Sequence, residues 1–306
     1  MNELATNLKT LEQETLKNLK NSKSFNTIRA YKSDFKDFTN FCLKNGFKYL
    51  PTEPKILSLY ITQLSKNSKF STLKRRIASI KVVHRMKGHY LDTKHPLIME
   101  NLLGIKRKMG SRQIAKKPIL ISDLKLIIKA IHEYKQKEFK KIRDKALILI
   151  GFSGGFRRSE LVNLDCQNIE FVKEGIKIFI ERSKSDQSGE GMIKAIPYFE
   201  NKEYCPVLNL KKWLDFSKIK SDKIFKISDK SVALIIKKYA LKAGLDAQRY
   251  SGHSLRSGFA TSAAEAGAEE RNIMSMTGHK TTQMVRRYIQ EANLFKNNAL
   301  NKIKFN

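Results

Sequence analysis

Four short stretches in the second half of the chain hold side-chain types suited to moving a phosphoryl group. GGFRRSELVNL sets Arg157 three residues ahead of Glu160, a spacing that puts both on one side of a helix start. ERSKSDQSGEG carries Lys184 in a turn region between two strand-like runs, and SGHSLRSG sets His253 three residues ahead of Arg256 after a candidate cap at Ser251. TGHKTTQMVRRYIQ has His279 in a turn and Tyr288 nine residues later in a helical pattern. A phosphodiester is a stable anion. An enzyme that works on it without metal must bring positive charge and hydrogen-bond donors to the oxygens that gather charge in the transition state. Arg157 and Arg256 suit this, being always protonated and carrying planar forks that can hold two non-bridging oxygens. His279 can add a third donor, and Glu160 reads as a residue that orients an arginine or a histidine. Each stretch alone has an ordinary alternative. An Arg and a Glu three apart are usually a surface ion pair, a Gly-His pair usually marks a helix boundary, and MVRRYI also reads as a helix presenting Met284, Tyr288 and Ile289 to a core.

The elements that must position these residues fall into two groups. The first hundred residues read as short amphipathic helices. Ile28, Tyr31, Phe35, Phe38 and Phe41 or Cys42 recur at helical spacing between a cap at Asn26 or Thr27 and a stop at Gly46. A second helix is predicted from about Pro54 to Leu64. A third runs from an N-cap at Ser71 to Gly88, and a fourth covers Leu97 to Ile105. The third carries Lys74, Arg75, Arg76, Lys81 and Arg85 on successive turns, a candidate DNA-binding face, whereas the aromatics keep helical spacing and are assigned to the core. GSRQIAKKP, residues 110–118, combines Gly, Ser, Pro and four basic residues without apolar periodicity and reads as a linker. Beyond it a helix capped by Ser122 and a second helix ending in Ala146 to Ile150 precede a change of period. Residues 168–172, a turn at 173–175, and Ile176, Ile178 and Ile180 alternate as a β-hairpin, with Met192 to Pro197 as a third strand. Helices resume at about Pro206 to Leu214 and Ser231 to Ala243. The expected class is mainly α with a small antiparallel sheet: a helical unit over residues 1–109, and a mixed α+β unit over 119–306 that ends in a tail helix.

Charge indicates the partner. Sixty Lys plus Arg against 29 Asp plus Glu leave a net charge of +31 in 306 residues, more than solubility requires. Residues 1–116 carry 24 basic and 8 acidic side chains, so both halves are basic, as in a clamp that closes around double-stranded DNA and draws affinity from released counterions. A bland alternative is a Lys-rich solvated surface from AT-biased coding. Cys42, Cys166 and Cys205 are scattered and form no metal-ligand or disulfide pattern, and the longest apolar run, Ala146 to Ile150, is too short to span a bilayer. A cytoplasmic protein without membrane segment or leader is expected. No GxxxxGK[ST] loop, HExxH pair or carboxylate cluster is present, so neither a nucleotide nor a metal cofactor is expected.

Taken together, Arg157, Lys184, His253, Arg256, His279 and Tyr288 stand in the order and approximate spacing of the tyrosine recombinases, the phage integrase family. The chain resembles that family from about residue 20 to 292, over continuous runs at GHSLRSGFATSAAEAG and TGHKTTQMVRRYI. TIRAYKSDFKDFTNFC, residues 27–42, is similar to its N-terminal core-binding (SAM-like) domain. One departure is Arg158, where the family usually has an apolar residue; the Glu three positions after Arg157 and the Gly two before it select Arg157. The resemblance implies that Tyr288 attacks phosphorus to form a 3′-phosphotyrosyl bond and frees a 5′-hydroxyl. It also implies that Lys184 is the general acid for that leaving oxygen and that strand exchange runs without ATP or metal in a tetramer on paired sites. A phenol with a pKa near 10 needs a proton acceptor, a role His253 can fill while the arginines lower the cost of charge. Within the family, the short N-terminal region points to a Xer-like or simple mobile-element integrase. A type IB topoisomerase shares this chemistry but not the N-terminal helices. A non-catalytic DNA-binding protein would explain the charge and leave the six positions unexplained.

Overall fold

The computed structural model describes residues 2–110, 116–181, 191–293, 295 and 298–303. The chain divides into two compact units, residues 1–114 and 115–306. The expected linker falls mainly on residues 111–115, outside the described residues.

The first unit is helical: α1 (Asn2–Asn21), α2 (Phe25–Lys44), α3 (Pro54–Ser65), α4 (Phe70–Met86) and α5 (Pro96–Met109). Phe38, Cys42, Leu57, Ile61, Leu73, Ile80 and Ile98 are buried together, and Phe35 and Phe41 pack against them. The aromatics of α2 therefore stabilise a core, as their spacing predicts. Two helix starts differ from expectation. Ser24 caps α2 by accepting a hydrogen bond from Thr27 N at 3.3 Å, and Lys69 occupies the N-cap of α4 with no side-chain cap, because the helix begins early enough to pack Phe70. Helix α1 was not expected from the sequence. His84 is fully buried; its Nε2 accepts from Thr52 N at 3.1 Å and its Nδ1–H donates to Ile80 O at 2.9 Å, which fixes the tautomer.

The second unit runs α6 (Ile121–Glu133), α7 (Glu138–Ser153), α8 (Arg158–Val162), β1 (Ile169–Val172), β2 (Gly175–Ile180), β3 (Met192–Pro197), α9 (Pro206–Ser217), α10 (Asp229–Lys242), α11 (His253–Glu265), α12 (Glu270–Thr277) and α13 (Thr282–Ala292). The strands form an antiparallel sheet in the order β1-β2-β3, with Ile178 opposite Lys194. Helix α7 is buried from Ala146 to Ser153 without a polar face, so it is the central post of the unit. The start of α6 also shifts: Leu120 is its N-cap and Ser122 lies in the first turn. Helix α11 approaches the entering backbone closely, with Ile119 N donating to Ser254 O at 2.9 Å. A Cβ on Gly258 would stand 2.0 Å from Ile119 O, so only glycine fits there. In α13 the core residue is Val285; Met284 is 57% exposed, against the reading that placed it inward. Among its described residues, the tail beyond α13 has only a 3₁₀ turn at Ala299–Lys302 where a helix was expected, and Phe295, Leu300 and Ile303 are exposed.

Candidate active site

Five of the six residues singled out from the sequence lie on described backbone in the second unit; Lys184 lies among residues 182–190, outside the described residues. Arg157 is the N-cap of α8. Glu160, buried one turn in, accepts from Arg157 N at 2.9 Å and from Arg157 Nη1 at 2.6 Å. The bland surface-pair reading thus fails on burial, since Glu160 is 6% exposed and holds the guanidinium from below. Arg157 Nη2 donates to Gly278 O at 3.2 Å, which ties α8 to the turn that carries His279. Gly278 has φ +62° and ends α12 in the left-handed conformation glycine adopts without strain.

Arg256 rises from α11 and is 1% exposed. Its Nη1 donates to Gly155 O at 2.9 Å, and its Nη2 is buried with no hydrogen-bond partner among the described residues. Burial and the neighbouring Arg157 charge push its pKa down to about 10, so it remains a cation at neutral pH. One turn earlier, His253 Nε2 lies 3.3 Å from Tyr288 Oη on α13. Burial and the charges of Arg256, Arg157, Arg158 and Arg287 lower the pKa of His253, so the ring is neutral at pH 7 and Nε2 can accept the phenol proton. Burial raises the pKa of Tyr288, while Arg256 and Arg287 pull it down. His279 sits with its ring centroid 6.0 Å from that of Tyr288 and its Nδ1 2.7 Å from Thr277 Oγ1. The threonine hydroxyl donates to Ile273 O at 2.5 Å, so Oγ1 accepts from the Nδ1–H of His279. Burial and the arginines hold His279 down to about 4.

The doubled arginine resolves by direction. Arg158 packs over Gly252 and reaches Asp229 on α10 at 4.0 Å, away from Glu160 and Gly278. Two other tyrosines are committed elsewhere: Tyr239 donates to Asp144 at 2.7 Å and Tyr250 to Asp123 at 3.0 Å, both buried. On the first unit, Lys74, Arg75, Lys81 and Arg85 are exposed along α4. Arg75 is paired with Asp34, however, and Arg76 is half-buried between Asp37 and Tyr60, with Nη1 2.6 Å from Tyr60 Oη. The basic face of α4 is therefore partly tied into its own unit.

Sequence reasoning missed Lys194. It is 1% exposed on β3, donates to Gly154 O at 2.6 Å and to Met276 O, and lies 4.6 Å from the Phe156 ring centroid. Burial, with Arg256 and Arg157 nearby, lowers its pKa to about 7 against the opposing pull of Glu160. The signal was in the strand: in MIKAIP, alternation puts residue 194 on the same face as Ile196. No cluster able to hold a metal occurs among the described residues.

Residues 119–294 match the model of the phage integrase family. An integrase/recombinase xerD homolog of Selenomonas ruminantium is 41% identical over 96% of this chain and 89% of its own length. A tyrosine recombinase of Agathobacter rectalis is 27% identical over 87% of this chain and 86% of its own. In fold, the chain is similar to XerH site-specific recombinase bound to its difH substrate (TM-score 0.61, 16% identity, 81% of this chain and 73% of that one). It is also similar to a lambda integrase dimer bound to a core site (TM-score 0.60, 16% identity, 97% and 98%). The chain belongs to the phage integrase family and is a tyrosine recombinase, an enzyme of site-specific DNA recombination.

Proposed function

We propose that this recombinase cleaves DNA by in-line attack of Tyr288 Oη on a backbone phosphate. The attack forms a 3′-phosphotyrosyl bond and releases a 5′-hydroxyl, which on the partner duplex later reverses the step. The orphaned Nη2 of Arg256 carries this reading. A buried guanidinium nitrogen without a partner costs about 1–3 kcal/mol or more, and it finds its acceptor when a phosphate oxygen arrives. Arg157, held by Glu160, completes a pair of guanidinium donors around that anion, and His279 becomes a third donor when the arriving phosphate charge favours its protonation. His253, neutral and 3.3 Å from the phenol, takes the proton. Lys184, between β2 and β3, is assigned to protonate the leaving oxygen, as the family resemblance implies. DNA is the partner, α4 lends its free lysines and Arg85 to the backbone, and strand exchange between two duplexes requires four protomers. Work on cellular DNA agrees with the cytoplasmic location expected from the sequence.

Two alanine variants test the reading with single-turnover cleavage of a nicked duplex carrying the sequence recovered from covalent protein–DNA complexes. Arg256→Ala should lower the rate by about 10³-fold, the scale of losing a preorganised anion donor. Arg158→Ala, which faces Asp229, should change it less than about tenfold. The reverse ranking would displace the phosphate from this cradle.

A further inference from the structure

We propose that Lys194 is a positioning residue of the cleavage reaction: its buried ammonium clasps together the two backbone segments that carry Arg157 and His279. The inference rests on the reading that those two residues receive the scissile phosphate. Lys194 occupies an inward register of β3, shared with Ile196, where the pattern of a half-buried sheet calls for an apolar side chain. An ammonium buried there loses its hydration and is tolerated only if its donors are taken up. Both acceptors are main-chain carbonyls next to the site. Gly154 stands three residues before Arg157, in the loop between α7 and α8, and Met276 stands three residues before His279, at the end of α12.

These bonds join a lattice of cation-to-carbonyl links through the same two segments. Arg256 donates to Gly155 O, beside the first Lys194 acceptor, and Arg157 donates to Gly278 O, two residues past the second. Lys194 is the member that reaches both segments from the sheet. It also stacks on Phe156, which adjoins Arg157 and is 2% exposed. A hydrocarbon side chain could fill the same volume, but it would leave Gly154 O and Met276 O without this donor and free the two segments to move relative to each other. A shift of about 1 Å in a catalytic group costs on the order of 10²-fold in rate. The effect should therefore appear in the chemical step and not in DNA affinity, because the phosphate contacts that give affinity lie elsewhere along the basic surface.

The test uses the full chain and the same nicked duplex, with thermal unfolding, DNA affinity and single-turnover cleavage at saturating DNA measured for Lys194→Met and Lys194→Arg. Lys194→Met should bind DNA within about threefold of wild type and cleave about 100-fold more slowly. Lys194→Arg, whose guanidinium can again donate to two carbonyls, should regain at least about tenfold of that loss. Should Lys194→Met fail to fold, Lys194→Gln decides, with cleavage at least about tenfold slower at unchanged affinity expected. Near-wild-type cleavage by a folded Met or Gln variant would overturn the proposal, as would parallel loss of affinity and rate, or an Arg variant as slow as Met. The parent reading fails separately: covalent attachment surviving Arg256→Ala undamaged would remove the cradle itself, whatever Lys194 does.

Discussion

At the scale of single residues, burial and neighbouring charge set the protonation states in the proposed site. His253 is kept neutral by burial and by four surrounding arginines, with its pKa below the ordinary 6.5. A base must be unprotonated to act, so covalent-complex formation should hold up as pH falls through 6.5 and decline only below it, by about tenfold per pH unit. His253→Gln should be slow throughout and lack that acid limb; a variant that keeps the limb would assign it to another group. The sequence pointed to most of the residues of this candidate site. Arg157, Glu160, His253, Arg256, His279 and Tyr288 were picked out together by their order and spacing, which resemble the family's, since each local offset alone has an ordinary alternative. Lys194 was passed over because a lysine in a short strand ordinarily faces solvent, although its alternation with Ile196 put it on the inward face that the register against Ile178 bears out.

At the scale of elements, helix α11 is the part that must not move, since it carries both His253 and Arg256 and is buried along much of its length. Its seat is the close crossing at Gly258, where a side chain would meet the Ile119 carbonyl at 2.0 Å. Gly258→Ala should destabilise the protein by about 1–3 kcal/mol, as overpacking does, and should lower cleavage beyond what unfolding accounts for, because the crossing sets the height of Arg256. Thermal melts paired with single-turnover rates measure both; an unchanged melting temperature would show that the crossing relaxes freely. Periodicity gave the hairpin, the third strand and most helices. It misjudged helix starts at Ser71 and Ser122, which lie in first turns while Phe70 and Ile121 already belong to the helices. A serine favours a cap, but packing of Phe70 starts α4 early. The α6 start, with Ile121 exposed, differs only by the one or two residues by which helix ends commonly vary. Helix α1 escaped because its polar composition masks the leucines at 4, 8, 11, 16 and 19.

At the scale of the molecule, a chain of net charge +31 should repel its own copies until DNA phosphates neutralise it, so assembly and DNA binding are expected to be coupled. Phe295, Leu300 and Ile303 are exposed beyond α13, apolar residues that a neighbouring protomer could cover. Deleting residues 293–306 should leave binding to a single site intact while abolishing cooperative occupancy of paired sites; cooperative binding that survives the deletion would give the tail an intramolecular role instead. All of these expectations depend on where the covalent bond forms. The direct measurement is to trap the protein on a nicked duplex, digest the denaturation-resistant complex and map the nucleotide-bearing peptide by mass spectrometry, for wild type and Tyr288→Phe. A single adduct on Tyr288 is expected, and in the variant no adduct with DNA binding retained. An adduct on Tyr198, Tyr239 or Tyr250, or a covalent complex that persists in Tyr288→Phe, would contradict it.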